Sequence, residues 1–133
     1  PAGPVAPAHA LPVGPPDHVV DLATRPEQAL YYRLNGDFNP LHSDPAVAAK
    51  AGFARPILHG LCTLGVCGHA LLRTLCDYDP ARLASLSLRF SAPVLPGDTL
   101  RVEMWKDGSF RASVPERSAI VINNGKAELR PKP

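Results

Sequence analysis

The sequence is poor in the features that mark several large protein classes. Three cysteines, Cys62, Cys67 and Cys76, leave one over after any pairing, and none forms a CxxC pair. A secreted disulfide scaffold and a structural zinc site are both poor fits, and a reducing setting is expected. No apolar run approaches the roughly 18 residues of a membrane span, and no signal peptide is visible. The expected location is cytoplasmic. Aromatic residues make up 6% of the chain, few for a platform that stacks single strands. Lys and Arg number 14 against 12 Asp and Glu, and a net charge of +2 without a clustered patch does not suggest a nucleic-acid binder. No G-x-G-x-x-G or P-loop offers a nucleotide fingerprint, and no G-x-S-x-G offers a nucleophile elbow. What is present is 133 residues, 45% of them hydrophobic, which suits the core of one domain.

Proline is the exception to this ordinary composition, with six of the 16 in the first sixteen residues. Residues 1–18 therefore read as a proline-rich tail or a linker cut from something larger, with His9 and His18 in solvent. Residues 19–133 read as the folded domain. Thr24 and Glu27 form a T-x-x-E capping box, which predicts a helix to Gly36 with Leu30, Tyr31 and Leu34 on its apolar face. Asp44–Pro45 reads as an N-cap followed by proline at the first helical position, with a short helix to about Gly52. The longest helical pattern spans residues 60–76, where Leu61, Leu64, Gly68, Leu71, Leu72 and Leu75 recur at three- and four-residue spacing. The segment is apolar throughout and is expected to be buried. Gly65 and Gly68 make sense if a sheet or a ligand tail presses against that helix.

Beyond residue 82 the period changes from 3.6 to 2. Leu86, Leu88 and Phe90 alternate with polar residues, as do Leu100, Val102 and Met104. Pro93–Asp98 is a turn and Asp107–Gly108 a hairpin signal. Weaker strands are expected at Phe110–Val114, Ala119–Asn123 and Ala127–Arg130, the last two joined near Asn124–Gly125. Three or four antiparallel strands must hide one face, and the apolar helix is the obvious cover. The expected class is α+β, a long helix on a curved antiparallel sheet.

Chemistry concentrates in Asp37–Asp44, where Asp37, Asn39, His42 and Asp44 share a loop. A carboxylate and an imidazole holding one water can take and return its proton. Spacing alone leaves this open against a polar turn whose side chains cap backbone groups, the preferred reading for Asp44. Asn39 could instead fix the loop that carries His42. The second site is Gly60, at the start of the long helix. The first amides of a helix lack internal acceptors, so a carbonyl aimed at Gly60 N–H would be polarised. His59 could line that site or make a structural hydrogen bond. His69 reads as a packed or interface residue, and Cys62 and Cys67 as small core residues. His42 with Asp37 and Asp44 is a weak metal candidate, without H-x-H or H-E-x-x-H, and no metal or redox cofactor is expected.

The run YRLNGDFNPLHSDPAVAAKAGFARPILHGLCTLGV closely resembles the hydratase 2 motif of the MaoC-like (R)-specific enoyl-CoA hydratases, and FSAPVLPGDTLRVEMWKDG resembles the same family's sheet region. The resemblance implies a hotdog fold, in which the sheet wraps the helix, and is strongest to the catalytic C-terminal half of a double-hotdog hydratase. It implies Asp37 and His42 as the catalytic pair, Asn39 as their support and Gly60 N–H as oxyanion donor. The implied reaction is hydration of a trans-2-enoyl-CoA thioester to the (R)-3-hydroxyacyl-CoA, coenzyme A being part of the substrate. A second hotdog is implied as partner, a copy of this chain or a different subunit. The tail pocket would extend toward it, with Gly65 and Gly68 as a wall. The alternatives are a companion hotdog that binds acyl-CoA without turning it over, and an acyl-CoA thioesterase.

Overall fold

The structure is a computed structural model that describes residues 3–132. Pro1, Ala2 and Pro133, at the ends of the expected tail and domain, lie outside the described residues. The chain runs β1 (His18–Ala23), α1 (Gln28–Tyr32), α2 (Pro45–Lys50), α3 (Gly60–Leu75), β2 (Leu83–Phe90), β3 (Thr99–Met104), β4 (Ser109–Val114) and β5 (Ala119–Leu129). Among the described residues the five strands form one antiparallel sheet in the order β1-β3-β4-β5-β2, with β1 and β2 at its edges. Period-2 patterning sends Leu100, Val102 and Met104 of β3 to the inner face, where they meet Phe110, Ala112 and Val114 of β4 and Val121 and Ile122 of β5. Cys67, Ala70 and Leu71 of α3 join the same core. A long helix wrapped by an antiparallel sheet is the hotdog arrangement expected.

Helix α3 begins and ends within a residue of its sequence pattern. Its burial does not follow the pattern. Cys62, Thr63, Cys67, Ala70 and Leu71 are buried, but Leu61 is 63% exposed, and Gly65 and His69 also face outward. Among the described residues nothing lies within 4 Å of where a Cβ on Gly65 or Gly68 would sit, so none of them presses on the small-residue face.

Five other expectations are corrected. The capping box does not form, because the Thr24 hydroxyl donates to the Asp98 carbonyl, 2.7 Å away across the sheet end, and Glu27 makes no side-chain cap. Helix α1 is accordingly one turn, continued by a 3-10 turn at Arg33–Asn35. Its supposed core face points the other way: Leu30, Tyr31 and Leu34 are exposed, while Ala29 is buried. Strand β1 falls where no strand was expected; it is an edge strand stabilised by its pairing to β3. Strand β5 is continuous where two strands were expected. Asn124, at φ +53°, makes a bulge rather than a turn, and Gly125 passes so close under Phe110 that a Cβ would come within 2.5 Å of its carbonyl oxygen.

From residue 3 to residue 17 the proline-rich segment has no regular secondary structure, but it is not free in solvent. His9 Nε2 lies 2.8 Å from Oγ of the buried Ser109, and the Asn124 amide donates to the His9 carbonyl. Trp105 is buried and donates to the Gly14 carbonyl.

Candidate active site

The loop that follows α1 is built from local caps. The Asp37 carboxylate accepts from Asn39 N–H at 3.2 Å. Asn39 Oδ1 accepts from Leu41 N–H at 3.0 Å, opening a 3-10 turn at Pro40–His42. Asp44 Oδ1 accepts from Ala46 N–H at 2.9 Å and caps α2, with Pro45 at the first helical position as expected. Short polar side chains thus replace secondary structure as partners for the loop backbone.

One long-range bond then aims His42. Its Nδ1 lies 2.7 Å from the Ile57 carbonyl oxygen. A carbonyl can only accept, so Nδ1 carries a proton, and in the neutral ring it is Nε2 that keeps the lone pair. The segment holding Ile57 is itself tied down, since Leu58 N–H donates to the Val94 carbonyl at 2.7 Å. Two residues later α3 starts. Cys62 and Thr63 N–H both donate to the His59 carbonyl, and Gly60 N–H precedes the helix's own ladder. A Cβ at Gly60 would come within 3.2 Å of the Phe90 ring, so glycine lets that ring pack close against the helix start.

His42 and Gly60 line one cavity of about 350 Å³, with Phe53, Leu58, Thr63, Phe90, Val94 and Val121 among its other walls. His42 also borders a smaller cleft of about 150 Å³ that includes Ser43, Arg55 and Pro96. Asp37, His42 and His59 each offer a nitrogen or carboxylate oxygen, all within 4.8 Å of one another. The Asp37 carboxylate and the His42 ring therefore converge, and Gly60 shares the cavity with that ring. Asn39 turns its side-chain oxygen into its own loop, and Asp44 is spent on its cap.

The residue that sequence reasoning left undecided is His59. It is 1% exposed, and its ring stacks on His42 with centroids 3.9 Å apart and planes 26° from parallel. Tyr32 packs on it at 4.7 Å. His59 Nε2 donates to the Asp37 carbonyl at 3.2 Å, while the buried Nδ1 has no hydrogen-bond partner among the described residues. Burial pushes its pKa down, favouring the neutral ring. The only advance signal was its place directly before Gly60. For a metal, His59 rather than Asp44 joins Asp37 and His42, but stacked rings direct their lone pairs side by side, a poor match to ligands converging on one ion.

The cysteines are free and buried. Burial raises the Cys62 thiol and pushes Cys67 up to about 12, so both stay protonated core residues rather than nucleophiles.

The fold is that of a hotdog domain, with a carboxylate and an imidazole close together beside the start of its long helix. The family profile described as MaoC like domain matches residues 8–126, and the chain belongs to that family. It is 47% identical over 127 residues to the mouse (Mus musculus) protein named peroxisomal multifunctional enzyme type 2, covering 93% of this chain and 17% of that protein. It is 48% identical over 115 residues to the Arabidopsis thaliana protein named enoyl-CoA hydratase 2, peroxisomal, covering 84% of this chain and 37% of that one. The crystal structure of a MaoC-like dehydratase from Phytophthora capsici superimposes with a TM-score of 0.95 at 39% identity, over 100% of this chain and 48% of that one. The chain thus spans about half or less of the length of these relatives.

Proposed function

We propose that this domain adds water reversibly to trans-2-enoyl-CoA thioesters, giving (R)-3-hydroxyacyl-CoA. The observation that supports it best is the convergence of Asp37 and His42 within 4.8 Å, His42 also lining a cavity with Gly60 at the start of α3. The thioester oxygen accepts from Gly60 N–H, which draws electron density out of the conjugated double bond. Water sits between the Asp37 carboxylate and the bare Nε2 of His42. As its oxygen bonds to C3, its proton passes to that nitrogen, and negative charge builds on the thioester oxygen under the Gly60 amide. The His42 imidazolium then gives that proton to C2 on the same face and returns to the neutral ring, so the net change is one water added. Asn39 holds the loop rather than the water. The R outcome rests on the likeness to the hydratase 2 motif. No resident metal or redox group enters these steps.

The domain is proposed to work against a second hotdog, a copy of this chain or a different subunit. The exposed Leu30, Tyr31, Leu34, Phe38 and Leu61 support this, as does the uncovered Gly65 and Gly68 face. Exposed apolar surface of this kind favours a partner, and the tail pocket would be completed there. Residues 19–133 are proposed as the hydratase domain, with the preceding segment as its linker, strapped to the sheet from His9 onward. The names of the mouse and Arabidopsis relatives support a peroxisomal location if the source is eukaryotic.

Crotonyl-CoA separates the readings. Loss of conjugated-thioester absorbance without free thiol is the expected result. Thiol release would make the protein a thioesterase. Retained coenzyme A affinity without turnover would make it a binding companion.

A further inference from the structure

His59 is not part of the water-holding pair, yet it touches both members. Its ring lies flat on His42, 3.9 Å between centroids, and its Nε2–H reaches the Asp37 carbonyl at 3.2 Å. Tyr32 closes its flank. A phenyl ring would fill this position without leaving the buried Nδ1 unmatched, and an unmatched buried acceptor is costly. Its retention argues that both the flat ring and the Nε2–H donor are needed. The titratable groups facing it are Tyr32 at the end of α1, Asp37 in the loop and His42 in the 3-10 turn. Against these a neutral ring has an advantage. When His42 takes the water's proton, the cation faces an aromatic surface rather than a second charge.

We infer that His59 is a positioning residue for the hydration: its buried ring backs the His42 imidazole while its Nε2–H holds the Asp37 backbone, fixing the spacing between the proton-accepting nitrogen and the carboxylate. This rests on the hydratase reading for its kinetic consequence but not for its structural one. His42 is held as the Nδ1–H tautomer by two restraints, the Ile57 carbonyl and the stack, and loss of the stack lets the ring rotate.

The test compares His59→Ala and His59→Phe in the intact protein, using crotonyl-CoA kinetics and the ring 15N shifts of His42. His59→Ala is expected to lower kcat by about 30-fold with KM changed by less than about threefold, the signature of misplaced groups rather than lost binding. Its His42 shifts should show a mixture of tautomers. His59→Phe keeps volume and stack, so it should fold, retain the single Nδ1–H tautomer and recover at least about threefold of the kcat lost in His59→Ala. It should stay below wild type because Asp37 is released. Wild-type kcat in His59→Phe overturns the proposal, as does a single tautomer in a folded His59→Ala. If His59→Ala does not fold, the tautomer and kcat of His59→Phe decide alone. A wild-type protein that leaves crotonyl-CoA unchanged would overturn the hydratase reading, and the 15N shifts would still test the positioning.

Discussion

Residues 36–59 and residues 99–129 are built on different terms. The first stretch carries Asp37, His42 and His59, and only Ala48, Leu58 and His59 in it are buried. It is held by Asx-type caps that reach two residues, by the His42–Ile57 bond within it and by a backbone bond from Leu58 to Val94. The second stretch, β3 to β5, supplies most of the core, including Leu100, Met104, Phe110 and Ile122 at 0% exposure. A sheet buried on one face holds itself by area and packing, whereas an exposed loop is held by a few directional bonds. Stability and chemistry should therefore be separable by mutation. The strongest test is Phe110→Ala. Phe110 lines no part of the cavity beside Gly60, and its removal should cost about 3–5 kcal/mol in urea unfolding. The fraction still folded should turn over at close to the wild-type rate. A collapse of kcat in folded protein would show that the loop depends on the sheet's packing.

The converse test is in the loop. Asp37→Asn and His42→Ala should each lower kcat by at least about a hundredfold, the usual weight of general acid–base groups. Asp37 lies in an exposed loop, so Asp37→Asn should leave the urea midpoint nearly unchanged. A mild effect on kcat from either variant would remove the pair from the mechanism.

The same contrast governs what could be read from the sequence. Helix α3 and the alternation in β2 and β3 were legible because their apolar residues repeat with one period over many positions. The Asp44–Pro45 cap was legible because its partner, Ala46, is two residues away. Thr24 was misread because Asp98, 74 residues on, competes for the hydroxyl that a local cap would use. The outward face of Leu30, Tyr31 and Leu34 was misread because their spacing says which residues share a face, not which face meets this chain's core. Strand β1 has six residues and no strong alternation, and its stability comes from β3. Within the site, Asp37 and His42 stood out by residue type. His59 did not, because its meaning lies in a stack on a ring 17 positions earlier.

A smaller effect is expected from Asp44→Ala. It removes the α2 cap, which should cost about 1 kcal/mol. Because α2 follows directly on the His42 turn, a kcat change larger than a few-fold would mean that the cap also steadies the imidazole.

The smallest effect belongs at the far edge of the sheet. Asp21 stands opposite Arg101 in the β1–β3 register, and the guanidinium donates from Nε at 2.9 Å and Nη2 at 3.1 Å to the two carboxylate oxygens. These hydrogen bonds hold the Asp21 carboxyl below its ordinary value of 3.8. The folded state therefore prefers the ionised form more than the unfolded chain does. The stabilisation is complete above pH 3.8 and is lost as pH falls through the lower folded value. Both side chains are more than a third exposed, so salt screens the pair. Asp21→Asn should lower the urea midpoint slightly at neutral pH and low salt, and the difference should shrink in high salt and at acid pH. kcat should not change, because neither residue lines the cavity that holds His42 and Gly60. An altered kcat would mean that the edge strand and the loop are coupled, which the separate construction of the two regions argues against.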